Sequence, residues 1–225
     1  MPVLKVITAR AIATVLAEIG TEFEQSSGYS LNVISSYGPI FVKQIKAGEP
    51  FDVVVAYPRT IDELTRDGRV IADSRTNLVR TGIGVEVRAG APKPDISSVE
   101  AFRRALLNAR SIGYLAVGGV PQLVERLGLE EAIRSRVTIP TTDSVSELVA
   151  RGELELGVVA ITQILTTPGV ELVGPLPPEI QYHTVFAAGV GTNSQAPDGS
   201  KDLIAFLTSP TAIPVIRAQG MEPAE

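Results

Sequence analysis

The chain has 225 residues, a net charge of −5 and 44% hydrophobic residues, so we expect a globular protein of one large domain or two small lobes. It has no basic tract, which argues against nucleic acid and anionic membranes as partners. It has no cysteine and a single histidine, which excludes disulfides, thiolate chemistry and multi-histidine metal sites, so we expect no metal and no cofactor.

The first residues, from Met1 to Ile7, contain neither a basic segment nor a long apolar one, unlike a secretory signal. This pattern favours a cytoplasmic protein, and the alternative is a periplasmic protein whose signal has been removed. No apolar run reaches the roughly 18 residues that span a bilayer, so no membrane insertion is expected.

The first third of the chain alternates apolar runs with amphipathic segments. The runs at 5–9, 31–34 and 51–55 predict buried parallel strands. A helix after the first strand is predicted by one apolar face, formed by Ile12, Val15, Leu16, Ile19 and Phe23. Thr60 and Glu63 have the spacing of a capping box and predict the start of another helix.

The stretch from Arg80 to Pro94 is expected to connect two sets of βα units. It predicts a strand over 83–87 that starts from Gly82 and Gly84 and ends in a Gly/Pro turn. The glycines precede the strand, so they are not a phosphate-binding loop. We interpret this stretch as the first of two hinge crossings.

A second set of strands and helices follows. Strands are predicted at 111–117, 137–139, 156–160 and 184–190, a rigid linker at 174–178, and two closing helices at 202–208 and 211–219. Ser97 and Glu100 again have capping-box spacing. The predicted fold class is α/β, with two lobes that are each a mostly parallel sheet flanked by helices. Lobe I comprises 1–81 and 186–225 and lobe II comprises 82–185; a single doubly wound sheet is the alternative.

Hydroxyls, glycines and arginines collect where the predicted parallel strands end. Ligands bind at such strand ends, beside helix N-termini that favour anions. We therefore predict a small-anion site in a cleft between the lobes, with Arg10 and Arg59 clamping charge. The predicted ligand-binding residues are Arg10, Ala11, Tyr37, Gly38, Tyr57, Arg59, Arg80, Thr81, Gly118, Gly119, Thr142 and Gln163.

Two residues are candidates for acid–base catalysis. His183 begins the return strand next to Tyr182, and if it lies in the cleft it is a candidate acid or base. Asp143 is the carboxylate among the residues at the predicted strand ends. The alternative interpretation is that it stabilises the N-terminus of a helix. Whether the protein is an enzyme is left open.

Four segments resemble the type II periplasmic binding proteins, in particular the molybdate-binding branch. They are Lys5 to Ala11, Gln44 to Val53, Leu156 to Val159, and Phe206 to Pro210. Thr81 to Pro92 also resembles a short, leaderless branch that neighbours aconitate isomerases. The resemblance implies two α/β lobes that close on an anion without metal.

The departures from the molybdate-binding pattern change the expected ligand. Ala11 stands where the family has its first serine, and Tyr37–Pro39 replace its serine-rich second loop. Ala160 stands where the family has a tyrosine. With Arg10, Tyr37 and Tyr57 present, we expect a di- or tricarboxylate more than molybdate. The alternatives are an aconitate-type isomerase and an effector-sensing module; an ABC transporter would be a partner only if the protein is exported.

Overall fold

The computed structural model describes residues 1–36, 38–116, 119–140 and 144–224, and gives the backbone but not the side chains of Arg10, Ala11, Gly38 and Pro39. The chain forms two compact units: unit 1 is Met1–Arg80 with Val185–Glu225, and unit 2 is Thr81–Thr184. The predicted lobes, 1–81 with 186–225 and 82–185, stay a prediction.

Unit 1 is built around one sheet and, among its described residues, five α-helices and one short 3-10 helix (Ala72–Ser74). Its elements are β1 (Val3–Ala9), α1 (Arg10–Ser27), β2 (Ser30–Ser36), α2 (Gly38–Lys46), β3 (Val53–Ala56), α3 (Pro58–Arg66), the first part of β4 (Thr76–Arg88), the later part of β9 (His183–Val190), α9 (Pro197–Leu207), α10 (Ile213–Ala218) and β10 (Glu222–Pro223).

The centre of the unit 1 sheet is parallel, as predicted. β1 pairs in parallel with both β2 and β3, whereas β9 is antiparallel to β3 and β10 is antiparallel to β4. Val6 and Ile7 of β1 belong to different core clusters, so this strand is buried on both faces. The five residues predicted to form the inner face of α1 are all buried.

Unit 2 repeats the alternation of strands and helices. It contains the rest of β4, α4 (Val99–Asn108), β5 (Ile112–Tyr114), α5 (Val120–Arg126), α6 (Glu130–Ile133), β6 (Val137–Thr138), α7 (Val145–Ala150), β7 (Leu156–Ala160), α8 (Ile161–Thr166), β8 (Val170–Pro175) and the start of β9. β5 is parallel to β6 and β7, and β4 is antiparallel to β7 and β8. The predicted α/β fold class is confirmed, with antiparallel strands added to each parallel centre.

Three local predictions are wrong. Helix α3 begins at Pro58 after an N-cap at Tyr57, ahead of the Thr60–Glu63 pair, because proline suits the first helical position. Helix α4 is capped by Ser98, whose Oγ accepts from the Ala101 N–H, while Ser97 bonds to Asp95. The segment predicted as a linker starts with the end of β8, which pairs with β4.

The stretch singled out in the sequence forms a longer strand than predicted. β4 runs from Thr76 to Arg88, and Gly82 and Gly84 lie inside it. At Gly84 a Cβ atom would stand 2.8 Å from Leu172 Cδ1 and 3.0 Å from Ile161 Cγ1. Glycine at this position therefore lets β8 and α8 pack against the strand. No described helix is long and apolar enough to cross a membrane.

Candidate functional site

The carboxyl ends of three parallel strands lie at one edge of unit 1. The strands are adjacent in the order β2, β1, β3, and their register places Ala9 opposite Ser36 and Thr8 opposite Val55. Each strand leads into a helix within one or two residues. The first turns of α1, α2 and α3 consequently start from the same edge. The first N–H groups of a helix have no partner within it, but in α3 Pro58 has no N–H and the Thr60 N–H donates to Tyr57 O at 2.9 Å, which leaves the N–H of Arg59.

Two of these helices begin without a side-chain cap. The N-cap residues are Ala9 for α1 and Tyr57 for α3, and neither side chain accepts a hydrogen bond from the first turn. The first turns of both helices also contain no acidic residue. Uncapped amides with the positive end of the helix dipole form an environment that stabilises a bound anion.

Those predicted residues of unit 1 that the structure describes fall at these helix starts with one exception. Arg10 and Ala11 open α1, Gly38 opens α2, and Arg59 is the second residue of α3, where its side chain is exposed. Tyr57 is 40% exposed, and its ring stacks on Phe186 with centroids 5.1 Å apart. Tyr37 lies outside the described residues.

The exception is Arg80, which lies on β4 and whose guanidinium forms an ion pair. Its Nη2 and Nε atoms lie 2.9 Å from Glu222 Oε2, and Glu222 pairs with Arg80 across β10 and β4. The charge of Arg80 therefore has a partner within the fold of unit 1. An exposed pair of this kind adds little stability but fixes the orientation of the arginine.

Unit 2 has a similar edge at the carboxyl ends of β5, β6 and β7. Gly119 is the N-cap of α5 and Gln163 lies in the first turn of α8, so both belong to this edge. Thr81 is 1% exposed within β4, and His183 is exposed at the start of β9. Gly118, Thr142 and Asp143 lie outside the described residues.

Gly119 is required by its neighbour as well as by its backbone. Its φ is 87°, and a Cβ atom there would stand 3.0 Å from two ring carbons of Tyr182. Any side chain would meet both the ring and an unfavourable backbone conformation. The sequence predicted Gly119 as a ligand-binding residue but not the packing of Tyr182 on it, since the two residues are distant along the chain.

A buried polar cluster lies in unit 2 and was not predicted from the sequence. Gln163 Nε2 donates to Ser146 Oγ at 3.1 Å, and Ser146 Oγ donates to Glu86 Oε1 at 2.9 Å. Glu86 and Ser146 are both 0% exposed. A signal was available, because Glu86 is the one charged residue inside the apolar run from Ile83 to Val87.

Burial has a direct effect on this carboxyl group. Loss of hydration raises the pKa of Glu86 to about 7, and the hydrogen bond from Ser146 opposes the shift only in part. Its Oε2 atom has no hydrogen-bond partner among the described residues. Glu86 is therefore a buried carboxyl group of unit 2 that changes between its protonated and ionised forms near neutral pH.

These two units of α/β fold, with strand ends and helix starts collected at one edge of each, define a type II periplasmic binding protein. The chain matches the family described as bacterial extracellular solute-binding protein over residues 4–222. It belongs to that family.

Individual relatives agree with this assignment. The chain is 30% identical to an aconitate isomerase from Pseudomonas sp, covering 98% of this chain and 87% of that protein. It is 28% identical to the molybdate-binding protein ModA of Azotobacter vinelandii, covering 96% and 88%. The solved periplasmic molybdate-binding protein of Azotobacter vinelandii superposes with a TM-score of 0.80 at 20% identity, covering 99% and 100%. The predicted resemblance to molybdate-binding proteins and aconitate isomerases is thus confirmed.

Proposed function

We propose that the protein binds a small di- or tricarboxylate anion, with carboxylate groups received at the strand-end edge of unit 1. The observation that carries the proposal is the pair of uncapped helix starts, α1 and α3, on adjacent parallel strands. Helix α1 offers the N–H groups of its first turn and the residue Arg10. Helix α3 offers Arg59 with its own N–H group, because Pro58 has no N–H and the Thr60 N–H donates to Tyr57 O. In unit 2, Gly119 and Gln163 occupy equivalent strand ends, and this edge would also receive an anionic group.

A carboxylate is favoured over molybdate by the residue types at this edge. Serine hydroxyls are absent from the start of α1, where Arg10 and Ala11 stand. A guanidinium group binds a planar carboxylate through two parallel hydrogen bonds, whereas a tetrahedral oxyanion is well served by hydroxyls and amides. The aconitate isomerase relative supports a tricarboxylate, and the ModA relative supports an oxyanion.

We expect trans-aconitate or citrate to bind in isothermal titration calorimetry and to raise the melting temperature, with molybdate and sulfate binding less tightly. Arg10→Ala and Arg59→Ala should each weaken carboxylate binding tenfold or more, since a hydrogen bond to a charged group contributes about 1.5–3 kcal/mol.

The matched control is Arg66→Ala, because Arg66 is an exposed arginine in the last turn of the same helix as Arg59. This variant should bind within about twofold of the wild type. Equal affinity in the Arg10, Arg59 and Arg66 variants, or a preference for molybdate over every carboxylate, would contradict the proposal.

The second candidate function is isomerisation of aconitate in the same site, favoured by the 30% identity to an aconitate isomerase over nearly the whole chain. The reaction moves one proton: a base removes it from the methylene carbon, the double bond shifts, and a proton returns to the former vinylic carbon. His183 and Asp143 are the candidate bases.

The isomerase predicts that trans-aconitate incorporates deuterium from heavy water in the presence of the protein and is converted to the cis isomer. If His183 is the base, His183→Gln should slow exchange about a hundredfold or more while calorimetry still detects binding. Tight binding with no exchange in the wild type would instead identify a binding protein.

The role in the cell depends on location. An exported protein would deliver its anion to an ABC transporter, as a solute-binding protein. A cytoplasmic protein would act on the anion or report it to a partner as an effector-sensing module.

A further inference from the structure

The polar cluster of Glu86, Ser146 and Gln163 connects the interior of unit 2 with a residue of the proposed ligand site. Glu86 lies on β4, Ser146 on α7 and Gln163 on α8, so each side chain comes from a different element. Glu86 and Ser146 are fully buried, whereas Gln163 is half-buried. The cluster therefore extends from a buried carboxyl group to an amide that retains exposed surface.

The space around Glu86 is shaped for this side chain. Glu86 is directly opposite Gly157 on β7, where a Cβ atom would stand 2.3 Å from Glu86 Oε1. Glycine at 157 leaves the room in which the carboxyl group lies and turns toward Ser146. The carboxyl is thus accommodated by the packing and held by a specific hydrogen bond.

Other charges near Glu86 do not compensate for its burial. The elements packed on it are α7, α8, β7 and β8, and neither α8 nor β7 contains a titratable residue. The remaining charged groups are exposed or paired elsewhere: Glu147 bonds to Ser144 N, Glu171 bonds to Lys93 and Gly90 N, and Arg88 is exposed. Its pKa of about 7 accordingly follows from burial.

We propose that Glu86 is a positioning residue whose proton decides whether Gln163 presents its carbonyl oxygen with one N–H, or both N–H groups, to the ligand. The proposal rests on the proposed function, in which Gln163 contacts the anion. A serine hydroxyl has one O–H to donate and can accept at the same time, so it transmits a direction along the cluster.

The two directions differ in what Gln163 presents. With Glu86 ionised, Ser146 donates to the carboxylate and Gln163 Nε2 donates one of its two N–H groups to Ser146, which leaves Gln163 Oε1 and one N–H for the ligand. With Glu86 protonated, its O–H donates to Ser146, and Ser146 donates to Gln163 Oε1. The amide then turns both N–H groups outward, where they can bind an anion.

The test is calorimetry with trans-aconitate at about pH 5.5 and about pH 8.5, on either side of the Glu86 titration. The ligand titrates identically for every variant, so the relevant quantity is the affinity of a variant relative to the wild type. Glu86→Gln keeps an N–H donor facing Ser146 and mimics the protonated acid. It should match the wild type at the acidic pH and bind about tenfold more tightly at the basic pH, the effect of one hydrogen bond to a charged group.

Ser146→Ala provides a second variant that leaves Glu86 in place but cuts its connection to Gln163. The ratio of its affinity to that of Glu86→Gln should be the same at both pH values, even though Glu86 still titrates in Ser146→Ala. The matched control is Glu171→Gln, since Glu171 is a partly exposed carboxyl group of the same unit. This variant should bind trans-aconitate with the affinity of the wild type at both pH values.

Two results would overturn the inference in distinguishable ways. If trans-aconitate binds but the affinities of wild type and Glu86→Gln, or of wild type and Ser146→Ala, keep a constant ratio across pH, the inference fails and the proposed function stands. If neither trans-aconitate nor citrate binds at either pH, the proposed function fails and the inference fails with it.

Discussion

Gly157→Ala is expected to lower the free energy of unfolding by about 3 kcal/mol, the upper end of the usual cost of overpacking a core. A Cβ atom at this position would lie 2.3 Å from Glu86 Oε1, 2.6 Å from its Cγ and 2.8 Å from its Cδ. Real Cβ atoms do not approach so closely, and Glu86 is fully buried, so its side chain has no solvent-filled space to move into. Urea denaturation followed by circular dichroism measures the change.

The control for this substitution is Gly174→Ala on β8. Its nearest atom would be Ile96 Cδ1 at 3.5 Å, an ordinary van der Waals distance. Gly174→Ala should change stability by less than about 1 kcal/mol. The double variant Glu86→Ala, Gly157→Ala removes the clashing atoms and should be more stable than Gly157→Ala alone. Equal losses in Gly157→Ala and Gly174→Ala would show that the contact with Glu86 is unimportant.

The unliganded protein is expected to lose stability as pH rises from about 4.5 to somewhat above 7. The folded-state pKa of Glu86 is raised from 4.5 to about 7 by burial, so the folded protein retains a proton that the unfolded chain has released. The protonated form is the one the fold favours. The loss in the free energy of unfolding reaches on the order of 3 kcal/mol at a pH where Glu86 is ionised in both the folded and the unfolded state.

Glu86→Gln removes this titration and should therefore reduce the change of the free energy of unfolding with pH. It should be more stable than the wild type at about pH 8.5 and similar to it at about pH 4.5, as measured by urea denaturation across the range. Glu171→Gln is the comparison, because the hydrogen bond with Lys93 lowers the pKa of Glu171 and gives its contribution the opposite sign. Parallel pH profiles for wild type and Glu86→Gln would contradict the expectation.

The fold was predictable because its signals are local. The apolar runs of β1 and β3 and the spacing of Ile12 to Phe23 in α1 follow from neighbouring residues that share a face or a strand. Helix starts placed directly after strands also follow from the order of elements, which is how Arg10 and Arg59 were assigned to the ligand site. Those signals need no knowledge of distant contacts.

Errors occurred where a distant partner decides the structure. Gly174 and Pro175 have the composition of a linker, yet pairing with β4 makes them the end of a strand. Pro175 is tolerated there because it lies at a strand end. In the same way Gly82 and Gly84 predicted the entry to a strand, whereas packing against Leu172 and Ile161 keeps Gly84 within it.

By itself the sequence determined the α/β alternation, the family and the arginines at two helix starts, because these depend on residues close together along the chain. Only the tertiary structure decided that Glu86 is buried, that Gly157 makes room for it and that Ser146 joins it to Gln163. The physical reason is that desolvation and steric contact depend on atoms brought together by folding, from β4, β7, α7 and α8.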